Sequence, residues 1–231
     1  MTEEYPEFIV KLNLTFKAIR VLDNRLIPTT WKIHTEVIYD EEAQESVDFD
    51  VEVKTTIGKI NYWLDNLVSG SLIFSRDNDW TYMSFFDEDG RCTAGNVVTI
   101  TPEDPTDDHL AEIIHSKFNA FGGDHIQFGI VELESDDTTG LSFMFTGDGQ
   151  MNLPFMEEWV GPHAYFDRPW WARDDGSTYD VIPPEDADLS IRPESSIDLD
   201  FIRARFRKQM GISGNIVRPT FKPEVIKGES K

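Results

Sequence analysis

The N-terminal part of the chain alternates between apolar and polar side chains with a period of two. Residues 8–18 place Phe, Val and Leu on one face and Lys, Asn and Thr on the other, and residues 30–39 repeat this pattern after a turn at Asp23-Asn24. A period of two indicates half-buried strands, and two such runs separated by a turn are typical of an antiparallel pair. A shorter alternating run at 47–53 predicts a third strand.

The apolar period changes to that of an α-helix in two segments. Residues 55–68 carry their apolar side chains three or four positions apart and end at Gly70, and residues 107–121 do the same before Gly122. This spacing places one apolar stripe along each helix, and glycine is common where a helix ends. The sequence therefore predicts two main helices.

Short apolar runs beside turn-forming residues predict the remaining strands. Two further hairpins are expected, 72–74 with 80–86 and 125–133 with 141–145, together with a strand at 97–100. Strands that follow each other through short turns usually pair antiparallel. The expected fold class is therefore α+β, with antiparallel sheets built from hairpins and two main helices.

Composition divides the chain into three regions. Residues 1–150 form the predicted acidic α+β core domain, and residues 151–189 form a Pro- and Trp-rich arm with little periodicity. Residues 190–231 are predicted to form a basic C-terminal helix followed by an extended tail. Repeated prolines without an apolar period are typical of irregular chain.

The charge is strongly negative and unevenly distributed. Among the 231 residues, 43 Asp and Glu outnumber 21 Lys and Arg, which gives a net charge of −22. Residues 190–231 carry +4, so residues 1–189 carry −26. An acidic body repels phosphates, and direct nucleic-acid binding is not expected. The single cysteine excludes a disulfide framework, and no apolar run reaches the roughly 18–20 residues of a membrane span. A cytoplasmic protein with no membrane contact and no cofactor is expected.

The second predicted helix contains the spacing Glu112-x-x-His115. Helical di-iron sites use this spacing because it places both side chains near one face of the helix. Such a site also needs a second copy of the motif and further carboxylates from neighbouring helices, and the sequence offers neither. The favoured interpretation is an outer polar face on an amphipathic helix.

The densest group of polar and aromatic residues lies at 163–175, within the predicted arm. A catalytic interpretation makes it a metal-dependent hydrolase with four candidate ligands, namely His163, Asp167, Asp174 and Asp175. An interaction interpretation uses four anchors at an interface, namely Trp170, Trp171, Arg168 and Arg173. In a third interpretation, the indoles pack the arm onto its own sheet while the arginines pair with nearby acids. No phosphate loop, nucleophile elbow or zinc-helix motif occurs, so no catalytic residue is assigned.

The predicted C-terminal helix combines positive charge with a small apolar side. Its predicted interaction residues are Arg203, Arg205, Arg207, Lys208 and Phe206. Because opposite charges attract, this tail is expected to dock on the acidic body of its own chain or of a neighbouring copy.

Two segments carry a resemblance to a known group of proteins. Residues 57–74, IGKINYWLDNLVSGSLIF, and residues 217–226, VRPTFKPEVI, are similar to segments of uncharacterised proteins of large tailed bacteriophages. The resemblance contains no catalytic motif. It implies the cytoplasm of a bacterial host, or a virion, as the setting, and it implies no site residues.

The function predicted from the sequence is non-catalytic. We expect a protein that acts through protein–protein contacts, such as a phage virion or accessory component that self-associates or joins a larger assembly. The acidic body and the basic tail are its expected contact surfaces. Two alternatives are an acidic inhibitor that mimics nucleic acid on a host factor, and a metal-dependent hydrolase centred on residues 163–175.

Overall fold

A long N-terminal hairpin forms the centre of the computed structural model. Strand β1, Phe8–Leu22, pairs antiparallel with strand β2, Arg25–Tyr39, along its whole length, which confirms the predicted pair. The turn between them has positive φ angles of 49° at Asp23 and 56° at Asn24. Asp and Asn tolerate this left-handed conformation better than other non-glycine residues, which explains why a tight turn forms here.

The structure describes most of the chain up to residue 180. The described residues are 8–39, 49–78, 81, 84–85, 98–123, 126–138, 140–147, 152–159 and 166–180. They all lie in the compact unit Met1–Ser196.

Six strands form one mixed sheet. After the hairpin come β3, Leu72–Ser75; β4, Val98–Thr101; β5, Gln127–Ser135; and β6, Ser142–Phe145. Their order across the sheet is β4-β3-β1-β2-β5-β6. The pairs β1–β2, β2–β5 and β5–β6 are antiparallel, whereas β3 lies parallel to β1 and β4. The α+β class with hairpin-built antiparallel pairing is confirmed.

The structure contains two main helices, as predicted. Helix α1, Phe49–Trp63, continues into a π-helical turn at Leu64–Val68, and helix α2 spans Asp107–Gly122. A short helix α3, Met156–Trp159, and a 3-10 turn, Trp170–Ala172, follow β6. No helix of the described residues has the length and apolar character that a membrane crossing requires.

Two predicted strands are wrong. Residues 49–53 belong to helix α1, because a short alternating run also fits the apolar spacing of a helix that buries Ile60 and Trp63 further along. The described residues of the predicted strand 80–86 are helical as well. Strand β3 therefore has no hairpin partner there, and it pairs with β1 and β4 instead.

The core lies between the sheet and the helices. Phe16 of β1 stacks on Trp31 of β2 with ring centres 4.8 Å apart. On the next strand, Phe128 packs against Phe118 of α2 at 5.4 Å. Helix α2 contacts both β5 and β6, so different sides of the helix are covered by different strands. Because strands cover more than one side of α2, several of its polar side chains are buried.

Candidate functional site

Helix α2 carries four ionisable residues that are buried, namely Asp107, His109, Glu112 and Lys117. Burial of such groups costs free energy unless hydrogen bonds or opposite charges compensate. The four residues differ in how completely they are compensated, and this difference separates structural from functional positions.

Asp107, at the first turn of α2, is fully paired. Its carboxylate accepts hydrogen bonds from Arg20 Nη1 at 2.7 Å, from the Trp31 indole N–H at 3.0 Å, and from Thr138 Oγ1 at 3.0 Å. The hydroxyl of Ser135 donates a further bond to it. These bonds join the start of α2 to β1, β2 and β5, so the cluster is a structural device that fixes the helix on the sheet.

Lys117 is also paired, although it lies on the apolar side of α2. Its ammonium donates to the main-chain carbonyls of Trp170 at 2.7 Å and Arg173 at 2.8 Å, and it lies 3.8 Å from a carboxylate oxygen of Asp175. Burial lowers the pKa of Lys117 to about 7, against the opposing effect of Asp175. Lys117 thereby holds the segment 170–175 against the helix.

The structure places the two predicted indole anchors inside the fold. Trp170 and Trp171 have exposed fractions of 0% and 2%. The Trp170 indole N–H donates to the carbonyl of Ile100 at 2.9 Å, and Thr178 donates to the carbonyl of Val98. These two indoles therefore fix the arm to its own sheet, as in the third interpretation, and neither is available on the surface as an anchor for another molecule.

The predicted charged residues of the arm are mostly engaged within the chain. Arg173 pairs with Asp175 at 2.9 Å, and Lys59 of α1 lies 3.5 Å from Asp174. Arg168 is exposed and lines a cavity of about 470 Å³ at the C-terminal end of α2.

The other proposed metal ligands do not complete a site that the structure shows. Asp167 is exposed. Within the described ranges, no group of three or more His, Cys, Asp and Glu side chains is placed to hold a metal ion. His163 and the tail residues Arg203, Arg205, Phe206, Arg207 and Lys208 lie outside the described residues.

A second cavity, of about 390 Å³, lies between the first half of α2 and strand β6. We call it the α2–β6 cavity. It combines three carboxylates, one imidazole and an apolar wall, supplied by Glu103, Asp108, Glu112, His109, Phe143, Met144 and Phe145. Asn152, which follows β6 in the chain, also lines it. None of its described lining residues is Lys or Arg.

Glu112 is the buried acid of this cavity, with an exposed fraction of 4%. Its carboxylate accepts a hydrogen bond from the main-chain N–H of Asn152. Burial raises the pKa of Glu112, and this effect exceeds the lowering caused by the main-chain N–H groups of Asn152 and Leu153. The side chain is therefore fixed in position and more basic than an exposed glutamate.

His109 lies three residues before Glu112, and this spacing places the two side chains on neighbouring positions of the helix surface. Its exposed fraction is 6%, and its Nε2 atom has no hydrogen-bond partner among the described residues. Burial lowers the pKa of His109, even though the nearby carboxylates of Glu103 and Asp108 act in the opposite direction. At neutral pH the imidazole is uncharged and one of its nitrogens is unused.

His115 borders the same region without lining the cavity. Its ring packs edge-on against Phe145 with centres 4.9 Å apart, and burial lowers its pKa. Gly147, with φ of 78°, brings the chain so close that an added Cβ would lie 3.1 Å from the ring. The predicted outer polar face at Glu112-x-x-His115 is therefore wrong, because β6 and the residues after it cover this side of α2.

The arrangement is suited to proton transfer. Glu112 and His109 are buried and line one cavity, and burial raises the pKa of Glu112 and lowers that of His109. Buried titratable groups with perturbed pKa values that line one cavity are characteristic of functional sites. The sequence contained one signal for this site, the cluster of His and Glu on one helix, but no signal that the strand predicted at 141–145 covers this side of the helix.

Comparisons with known proteins yield distant structural likeness and no sequence relative. No family model and no curated protein matches the chain. Among solved structures, an uncharacterised protein, WS1659 of Wolinella succinogenes, is similar with a TM-score of 0.42 and 13% identity, over 62% of this chain and 99% of that one. The 6-pyruvoyl tetrahydropterin synthases of Plasmodium falciparum and Plasmodium vivax are similar with TM-scores of 0.38 and 0.37 and identities of 10% and 9%. Each match covers 60% of this chain and 96% or 97% of the synthase.

The function predicted from the sequence has no counterpart among these structures. Two of them are named as synthases, and none of the three is named as a phage assembly or virion component. The prediction of a non-catalytic assembly protein is therefore corrected. At this level of similarity, no residue role or substrate is carried over. The resemblance to tailed-phage proteins and the expected protein partner stay predictions.

Proposed function

We propose that the protein binds a small molecule in the α2–β6 cavity and transfers a proton to or from it, with Glu112 and His109 as the exchanging groups. The observation that carries this proposal is the placement of both side chains, buried and one turn apart, on the same cavity. A cavity of about 390 Å³ has the size of an ordinary small-molecule site.

The two groups divide the proton-transfer roles. Ionised Glu112 acts as the general base, because burial has raised its proton affinity while the Asn152 N–H holds its carboxylate in place. Neutral His109 offers Nε2 as a hydrogen-bond acceptor in the tautomer that carries its proton on Nδ1, and as a donor in the other tautomer. A ligand that bonds to Nε2 would satisfy a buried atom that has no other described partner.

The apolar side of the cavity supports the same role. Phe143 and Phe145 of β6 form an apolar wall on one side, and electrostatic interactions are stronger beside apolar surface than in open water. Phe143 retains an exposed fraction of 37%, which leaves a route of entry for a small molecule. A cytoplasmic location, predicted from the sequence, is part of this proposal.

A generic proton-abstraction probe tests the proposal without knowledge of the natural substrate. In 5-nitrobenzisoxazole, a base removes the C3 proton while the ring N–O bond breaks, and the product is a coloured cyanophenolate. We expect a saturable rate above that of the buffer, which rises with pH as Glu112 ionises. The substitution Glu112→Gln should lower this rate by about tenfold or more.

The matched control is Glu157→Gln, which removes the same charge from an exposed residue of α3 outside the cavity. It should leave the rate unchanged. An equal rate in the wild type and in Glu112→Gln would contradict the proposed role of Glu112, and equal losses in both variants would assign the effect to overall charge.

A further inference from the structure

The lining of the α2–β6 cavity has one sign of charge. Glu103 and Asp108 are exposed at its rim, and Glu112 lies buried further in. The imidazole of His109 adds no positive charge at neutral pH, because burial keeps its pKa below the ordinary value. With no Lys or Arg among its described lining residues, the empty cavity leaves this negative charge without a counter-ion from the protein.

Other buried carboxylates of the described residues have a cationic partner. The carboxylate of Asp107 in α2 lies 2.7 Å from Arg20, and that of Asp175 in the arm pairs with Arg173 at 2.9 Å. Buried charges in proteins are normally paired in this way. The absence of a described cation beside Glu112 therefore points to a cation that comes from outside the chain.

The opposite wall has the chemistry that favours an organic rather than an inorganic cation. Phe143, Met144 and Phe145 provide carbon surface and aromatic faces, which attract ammonium groups through cation–π interactions. They offer no oxygen ligand, whereas Ca²⁺ and Mg²⁺ require about six oxygen ligands. No metal-holding group of three or more His, Cys, Asp and Glu exists in the described part of the chain.

We infer that the ligand of the α2–β6 cavity is an organic cation, a protonated amine carried on an apolar or aromatic body. This inference rests on the proposed function and adds the class of substrate. The amine pairs with Glu112 and donates an N–H to the unpartnered Nε2 of His109, while its body lies against the phenyl rings of β6. Glu103 and Asp108 attract the cation to the entrance.

Three probes of similar size and different charge test the inference. Benzylamine is a cation, benzyl alcohol is neutral and benzoate is an anion, and binding is followed through the NMR resonances of the His109 imidazole at physiological salt. We expect only benzylamine to bind measurably. Its dissociation constant should rise about tenfold or more in Glu112→Gln, since a hydrogen-bonded charge is lost.

Two further variants separate local recognition from general attraction to an acidic protein. Glu157→Gln removes an equal charge outside the cavity and should change the dissociation constant by less than about twofold, because surface charge is screened over roughly 8 Å. Asp108→Asn changes an exposed residue at the rim and should give a weakening between these two values. Equal weakening in Glu112→Gln and Glu157→Gln would overturn the inference.

The probes also distinguish failure of the inference from failure of the proposed function. If benzyl alcohol or benzoate shifts the His109 resonances as strongly as benzylamine does, the cavity is a ligand site but its ligand is not a cation. If none of the three probes shifts these resonances, both the inference and the proposed site are wrong.

Discussion

Two sets of buried charges on one helix differ in how they are compensated. Asp107 and Lys117 are each held by several partners from other elements, Asp107 by side chains of β1, β2 and β5, and Lys117 by carbonyls of the arm. Glu112 and His109 lie between them in sequence, beside a cavity, and Nε2 of His109 has no partner among the described residues.

The difference separates architecture from function. A buried charge that several partners hold fixes neighbouring elements, even where, as at Lys117, those partners do not fully offset its desolvation. A buried polar atom without a described partner, such as Nε2 of His109, is retained at a cost in stability, and such atoms concentrate at functional sites. On this basis Asp107 and Lys117 stabilise the fold, and Glu112 and His109, which lie between them in the sequence, serve a ligand.

Substitution of Asp107 should give the greatest loss of stability. Asp107→Ala removes the carboxylate partner of Arg20 Nη1, although the buried guanidinium keeps its pair with Asp137, and it removes the acceptor of the Trp31 indole N–H. We expect the free energy of unfolding to fall by about 2–4 kcal/mol, measured by urea denaturation, because two buried donors lose their carboxylate acceptor. Asp108→Asn, its exposed neighbour, should cost less than about 1 kcal/mol. Similar losses in the two variants would show that the buried bonds of Asp107 do not set it apart from its exposed neighbour.

Substitution of Lys117 should give a smaller loss at pH 7. Lys117→Met keeps the apolar stem and leaves the carbonyls of Trp170 and Arg173 without their donor, at a cost of about 1–3 kcal/mol in the free energy of unfolding. Lys59→Met is the matched control, because its partner Asp174 is 74% exposed. A control that loses as much as Lys117→Met would show that the arm is not held by Lys117.

The cost of Lys117→Met should also depend on pH in one direction. Because the pKa of Lys117 is about 7 in the folded chain and 10.5 is the ordinary value, the unfolded chain binds more protons between these two pH values. Stability from this group therefore rises with pH across that window, with a slope of up to about 1.4 kcal/mol per pH unit. The wild type should show this rise relative to Lys117→Met, and parallel pH profiles would contradict the buried position of the charge.

Substitution of Glu112 should change stability least. Glu112→Gln keeps an oxygen that accepts the Asn152 N–H and removes a buried negative charge, so the free energy of unfolding at pH 7 should stay within about 1 kcal/mol of the wild type. The raised pKa of Glu112 makes its contribution greatest at pH below 4.5, and this contribution is lost as the pH rises through the folded pKa. A loss as great as that of Asp107→Ala would identify Glu112 as a structural residue.

The sequence predicted α2 well and its buried polar side poorly, for a geometric reason. Leu110, Ile114 and Phe118 define the apolar stripe that revealed the helix. At about 100° per residue, Glu112 lies roughly opposite this stripe, where a residue normally faces water. Only the path of the chain after β5 brings β6 over this side, and no local pattern in α2 encodes that path.

The arm likewise contains residues whose burial the local sequence does not determine. Trp170 and Trp171 were interpretable from the sequence either as surface anchors or as core residues, because an irregular segment has no period that assigns its faces. The choice is settled by the carbonyl of Ile100 and by Lys117, which are distant in sequence and meet the arm only in the folded chain.

The most direct test of the α2–β6 site is an NMR pH titration of the Glu112 carboxyl carbon and the His109 imidazole in the protein without ligand. We expect the pKa of Glu112 above the ordinary value of 4.5 and the pKa of His109 below 6.5. Benzylamine should lower the pKa of Glu112, because a bound cation stabilises the ionised carboxylate. Ordinary pKa values for both groups, unchanged by benzylamine, would contradict the assignment of this cavity as the functional site.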